Sequence, residues 1–407
     1  MDKAQLKKKL SQQYDADTWK EILRYIFPNV ELFQRPTDIP VINDKVKSFR
    51  QLGNMRLNDG KTLAIFDVQL KDQTNISRNR VELRNLTTRY IDQATTHGVL
   101  AVFASDADDY RFTFSSKETE FDENMQIVTK QTEPKRYTYV LGPNESCKTP
   151  ADRFYKLHEQ KHSVELGDVV EAFSVEKLNK EFFNKYKEHY ENFVQFITGK
   201  RFKKVSGKWK EVEVHAPHKY LNSVFENDNK QTRDYIKILL GRIVFLQFLQ
   251  KKGWMGCSTD SQGWENGNHK FLQHLFESHE KGKFHSQVLS PLFIALNTPN
   301  RENDIFKLSH SRVPYLNGGL FEADDTAIQN MDFPEALFYD LLDFFSQYNF
   351  TIDENDPNDH EVGIDPEMLG HIFENLLEDN KDKGAFYTPK PIVQYMCQES
   401  LIQYLKT

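Results

Sequence analysis

Residues 48–70 read SFRQLGNMRLNDGKTLAIFDVQL, and the fold of the N-terminal region turns on them. Asn58-Asp59-Gly60 lies between two apolar runs, 48–57 and 61–70. Asp-Gly in that setting is a strong hairpin signal, because glycine supplies the positive φ that the turn needs. The second run, TLAIFDVQL, predicts a buried strand carrying one out-of-place carboxylate, Asp67. Upstream, residues 15–27 predict a helix capped by Asp15 or Asp17, with Trp19, Ile22, Leu23, Ile26 and Phe27 on one stripe and Pro28 ending it. Downstream, residues 79–95 have helical spacing in Val81, Leu83, Leu86, Tyr90, Ile91 and Ala94. Gly98 closes that segment, VLAVFAS (99–105) reads as a strand, and YRFTFSS and KRYTYVL read as the arms of a later hairpin. Residues 1–145 are therefore expected to form a compact α/β unit with a mixed sheet and flanking helices.

Beyond residue 150 the strand signals fade. Segments 164–198, 229–252, 268–280 and 334–347 read as largely helical, 200–214 as a basic loop or hairpin, and 291–321 as mostly irregular. Joints are expected at GPNESCKTP (142–150) and at the stretch 351–363, so the expected division is 1–145, 146–350 and 351–407. The chain has 407 residues, enough for two or three domains, and a hydrophobic content of 38% against 28% charged, a soluble globular balance. Its net charge of -7 means that nucleic-acid contact must come from local basic patches. Three widely spaced cysteines, Cys147, Cys257 and Cys397, argue against a disulfide scaffold and fit a reducing cytoplasm. The most apolar stretch, 235–250, is interrupted by Lys237 and Arg242 and reads as a buried helix, not a membrane span.

Several residue patterns could carry chemistry. Metal-dependent nucleases of the PD-(D/E)xK kind place one acid on a strand. A second acid, one residue and a Lys (sometimes Gln or Glu) follow on the next. Alternation turns the second acid and the Lys to the same side, where two acids hold a divalent cation that activates water. Asp67-Val68-Gln69 offers that pattern, with Lys71 on the same side and Asp67 the metal ligand. Glu82, among Arg78, Arg80 and Arg84, and Asp59 at the turn are the other candidate acids. With the turn centred on Asp59-Gly60, Asp67 falls opposite Leu52 or its neighbours, where residues 51–55 carry no carboxylate. Two readings stay open: an Mg²⁺ site at Asp67, or an inactive nuclease fold in which Asp67 pairs with a nearby Arg. His158-Glu159-Gln160-Lys161-His162 matches HExxH, but its polar neighbours favour a solvated helix face over a zinc site; His215 and His218 flank a proline in a loop. Arg201, Lys203, Lys204, Lys208 and Lys210, interleaved with Phe202 and Trp209, could follow a phosphate backbone or form a solvated hairpin. No GxxxxGK[ST] loop occurs.

Near residue 384 the chain reads GAFYTP, a glycine bend and a helix start with Thr388 as cap and Pro389 in the first turn. Phe386-Tyr387-Thr388-Pro389, preceded by PEMLGHIFE (366–374), resembles the opening of the catalytic domain of N6-adenine DNA methyltransferases, and in particular of single-chain type IIG restriction–modification enzymes. GRIVFL (241–246) with Lys252-Gly253-Trp254, VPYLNGGLF (313–321) and NRVELRNL (79–86) resemble the same family. The resemblance implies an α+β protein: an N-terminal PD-(D/E)xK nuclease-like α/β domain, a largely helical connector, and the start of a class I methyltransferase domain. It implies double-stranded DNA as partner, Mg²⁺ for cleavage, and S-adenosylmethionine contacted by Phe386, Tyr387, Thr388 and Pro389. The family's glycine-rich cofactor loop and Asn-Pro-Pro-Tyr motif are absent from these residues, so the chain resembles an N-terminal fragment that would bind that cofactor negligibly. The alternative is a non-catalytic DNA-binding or interaction scaffold on a degenerate nuclease fold.

Overall fold

A computed structural model describes residues 1–41, 43–71, 85–92, 95–116, 120–121, 127–128, 135–205, 208–260, 262–264, 266–316, 318–351, 359–366, 368, 370, 372 and 390–406. The chain divides into two compact units, Met1–Leu178 with Ser346–Ile364, and Asn179–Phe345 with Asp365–Thr407. This differs from the division expected from composition. The boundary lies inside a long helix, where composition changes little, and residues 346–364 return to the first unit.

In the first unit, helix α1 (Lys3–Leu10) is followed by α2 (Ala16–Ile26), whose Asp15 cap accepts from the Thr18 amide at 2.8 Å. Strands β1 (Val30–Asp38), β2 (Val46–Arg56) and β3 (Thr62–Leu70) form an antiparallel meander. Strand β4 (Gly98–Ala104) then lies parallel to β3, and β5 (Tyr110–Ser116) and β6 (Lys135–Leu141) add on antiparallel. The short strand Asp359–Glu361 pairs parallel with β6 and gives a seven-stranded sheet among the described residues. The sheet, the helix at 16–26 and the hairpin arms at 110–116 and 135–141 match the sequence reading. Of the segment expected to be helical at 79–95, residues 79–84 and 93–94 lie outside the described residues; 85–88 are helical.

Period-2 alternation gives the sheet two buried faces. Phe49, Phe66, Val68, Phe103, Leu86 and Ile91 form one core. On the other face Trp19 of α2 meets Phe112 edge-on at 4.7 Å, and Phe154 of α3 (Lys148–Gln160) meets Phe112 and Tyr139. Asp67 lies on this second face, in one row with Arg50, Val102 and Phe112. Helix α4 (Leu166–Ala172) follows α3.

Helix α5 (Val175–Thr198) leads into the second unit, whose basic segment folds as the hairpin β7 (Lys200–Val205) and β8 (Lys208–Glu213). Helix α6 (Asn229–Lys251) is buried on nearly all sides, which accounts for its apolar run. No helix among the described residues is long and apolar enough to cross a membrane. The segment expected to be irregular contains α7 (Ser290–Asn297), which continues from the π-helical turn His285–Leu289 and carries Pro291 in its first turn. Helix α8 (Glu335–Ser346) brings Phe338 and Phe344 against Phe193 and Phe182 at ring distances of 5.2 and 5.0 Å. Helix α9 (Lys390–Lys406) exposes Ile392, Tyr395, Met396, Leu401 and Leu405.

Candidate functional site at the β2–β3 ladder

The hairpin turn spans Asn58, Asp59 and Gly60, with Gly60 at φ 78° and the ladder closed by Leu57 N–H to Lys61 O at 2.8 Å. A three-residue loop with glycine in the left-handed region shifts the strand pairing relative to a two-residue turn. A bulge between Gln51 and Gly53 shifts it again. Both shifts were invisible in the turn dipeptide alone. Together they put Arg50, not Leu52, directly opposite Asp67.

Asp67 is completely buried. Arg50 Nη2 donates to Asp67 Oδ2 at 2.6 Å, and Gln69 Nε2 donates to Oδ1 at 2.6 Å. Tyr14, between α1 and α2, rests edge-on to Tyr110 with its hydroxyl beside Asp67. Burial first, and the Asp67 charge second, push the Tyr14 phenol well above its ordinary value, so it stays protonated and can donate. The Arg50 guanidinium is one-third exposed, and its Nε has no partner among the described residues. Asp38 of β1 is Arg50's neighbour on the other side.

Mg²⁺ is the metal implied for this site, and the donor set does not fit it. A divalent cation wants two or more oxygen ligands and repels a guanidinium. Here one carboxylate has both oxygens engaged by donors, a cation stands in register where the partner acid belongs, and among the described residues no cluster of three His, Cys, Asp or Glu could hold a metal.

The other candidates are dispersed. Asp59 makes the turn: its carboxylate accepts from the Lys61 and Leu166 amides, both at 3.3 Å. Asp67 lies six residue steps along the extended strand from Lys61, about 20 Å, so Asp59 and Asp67 do not converge. Lys71 is exposed just past β3, its amide bonded to Lys45 O at 2.9 Å. Glu82, Phe386, Tyr387, Thr388 and Pro389 lie outside the described residues. The HExxH reading fails on geometry. Helix α3 ends at Gln160, Lys161 takes φ 53°, and His162 falls in the turn beyond, against Asn29. His158 stacks on Tyr25 at 3.8 Å and bonds its carbonyl. His218 caps the helix Lys219–Val224.

In the β7–β8 hairpin, Lys203 and Lys210 are exposed and directly opposite, and Arg201 and Lys203 share one face of the hairpin by alternation. Arg201 bonds Asn192 at 3.2 Å. Lys204 pairs in register with Trp209 and Lys208 with Val205. Behind the hairpin, buried Arg233 bonds Glu191 at 3.1 Å and Glu211 at 3.4 Å and lies over the Phe202 ring.

Two stretches of the sequence resemblance meet at one side chain. Arg242, in GRIVFL, donates to Leu320 O at 2.6 Å, Glu322 O at 3.0 Å and Asp324 Oδ2 at 2.6 Å, holding the end of VPYLNGGLF and the residues after it.

No protein-family profile matches the chain, and no solved structure matches it. The chain is similar to a Methanocaldococcus jannaschii protein that carries a provisional assignment as a type II restriction enzyme and methyltransferase, with 26% identity over 237 residues, 53% of this chain. The chain spans 19% of that relative's length.

Proposed function

We propose that this chain is the N-terminal part of a type IIG-like restriction–modification protein acting on double-stranded DNA. In this reading the first unit is a nuclease-like α/β domain and the second a helical connector. A methyltransferase domain, transferring a methyl group from S-adenosylmethionine to adenine N6, opens near residue 386. The carrying observation is strand order. Asp-x-Gln lies on β3, paired antiparallel to β2 and parallel to β4 within one mixed sheet, and this supports the acid-x-Gln strand of a PD-(D/E)xK-like domain. Similarity to a much longer relative assigned to restriction and methylation supports the same reading. The exposed apolar side chains of α9 support a further domain packing there. Phe386 to Pro389 would contact the cofactor's methionine end.

DNA would meet the second unit at Arg201, Lys203, Lys204, Lys208 and Lys210. Like charges directly opposite on a hairpin cost stability, and a phosphate backbone would relieve the Lys203–Lys210 pair. The test is fluorescence anisotropy of this chain with a labelled duplex across a salt series. Binding should weaken with salt, and Arg201→Gln with Lys203→Gln and Lys210→Gln should flatten the log–log slope by about 2 to 3. Absence of duplex binding at low salt would count against this interface. For the longer protein, radiolabelled methyl transfer to adenine in duplex DNA is the expected activity, and transfer to cytosine alone would refute the assignment.

A further inference from the structure

From the β2–β3 ladder we infer that Arg50 takes the place of the divalent cation, so that this centre holds an internal cation, binds no catalytic metal and does not itself cut DNA. The inference rests on the nuclease-like reading of the sheet and departs from the metal chemistry that reading carries. Register, distance, burial and charge converge. The residue directly across from Asp67 is Arg50, the position from which a second acid would face the metal. Its Nη2 lies 2.6 Å from Asp67 Oδ2, the place a bound cation would need, while Gln69 covers Oδ1 at 2.6 Å. The bulge at Leu52 makes this register, because without it the next residue, Gln51, would stand opposite Asp67. Asp67 is fully buried, and burying a carboxylate charge is costly unless it is paired and hydrogen-bonded. Arg50 fills that requirement from within the chain, and neighbouring Asp38 in register on its far side further favours a cation there.

The converse follows. Replacing Arg50 with an acid would create the missing pair of carboxylates on one face, and a divalent cation would then be demanded by charge. The experiment uses this chain with Mn²⁺ as the probe, read by electron paramagnetic resonance of free Mn²⁺ and by the shift in melting temperature on adding the metal. Wild type should show no binding that depends on Asp67. Arg50→Asp should melt lower without metal, rise in melting temperature with Mn²⁺, and bind it at least about tenfold more tightly than wild type. The added Asp67→Asn change should abolish that gain. Because Arg50→Asp could fail to fold, Arg50→Gln is the companion: it keeps length, removes the cation and should also bind Mn²⁺ more tightly than wild type. Mn²⁺ binding by wild type that disappears in Asp67→Asn would overturn the inference, as would Mg²⁺-dependent cleavage by wild type that Asp67→Asn abolishes. Failure of both Arg50 variants to gain metal affinity would overturn it too. The duplex-binding assay stands apart: its failure with the metal results intact removes the DNA reading alone.

Discussion

Replacing Arg242 with Met keeps the aliphatic stem and removes the guanidinium. The side chain is 4% exposed and makes a hydrogen-bonded ion pair with Asp324 at 2.6 Å, besides bonds to the Leu320 and Glu322 carbonyls. Breaking a buried pair by removing one partner costs about 3–5 kcal/mol. Asp324 is 17% exposed, so water reaches it in part and the lower end applies, about 3 kcal/mol. For a unit of this size that is a fall of roughly 6–12 °C in melting temperature. Arg242→Lys keeps a point charge for Asp324 but cannot reach both carbonyls with one ammonium. It should lose about 1.5–2 kcal/mol. Thermal denaturation measures the size, and hydrogen–deuterium exchange locates it: amides at 318–326 should exchange faster in Arg242→Met. An Arg242→Met protein melting within about 2 °C of wild type, with exchange there unchanged, would refute the view that this arginine fastens the loop.

Buried His285 bonds Tyr235 at 2.6 Å and Met331 O at 2.9 Å, and burial pushes its pKa down to about 4. The unfolded chain therefore binds more protons between about pH 6.5 and pH 4. This contribution, about 3 kcal/mol, is complete above pH 6.5 and is lost as pH falls through that window; urea midpoints that stay flat from pH 7 to pH 4.5 would contradict it. Gly60→Ala meets no neighbouring atom but must hold φ 78°, so it should cost about 1 kcal/mol in urea unfolding and leave the fold unchanged. Lys210→Glu places opposite charges across the hairpin at Lys203. It should raise stability by a few tenths of a kcal/mol while weakening duplex binding, and stability and binding falling together would mean the hairpin was simply misfolded.

What could be read from the sequence was what short-range chemistry encodes. The Asp15 cap, the Trp19 stripe and the Asn58–Gly60 turn each write their element within a few residues. The buried character of 235–250 was legible because two charges interrupt a run too short for a bilayer. Less local features escaped. Strand β1 carries Pro36, which breaks the usual strand signal and is accommodated at a sheet edge, inside the irregularity between Leu32 and Thr37. The candidate site depends on register, and register is moved by a three-residue loop and one bulge, so the sequence leaves a metal and an arginine partner for Asp67 both open and does not single out Arg50. Arg242 was visible as part of a motif, but its partners lie some 80 residues away, beyond any local pattern.

The strand Asp359–Glu361 has a consequence for how the molecule is made. It covers the outer edge of β6, and Glu361 reaches Arg111 at 3.4 Å within the same sheet. On a ribosome moving at about 5–20 residues per second, β6 waits on the order of 10–40 s for that strand to emerge. During the wait its unpaired amides and carbonyls offer a template to other nascent chains. Expression pieces that stop before residue 359 would keep that edge open permanently, and self-association is their expected fault; extending them through residue 364 would close it in cis.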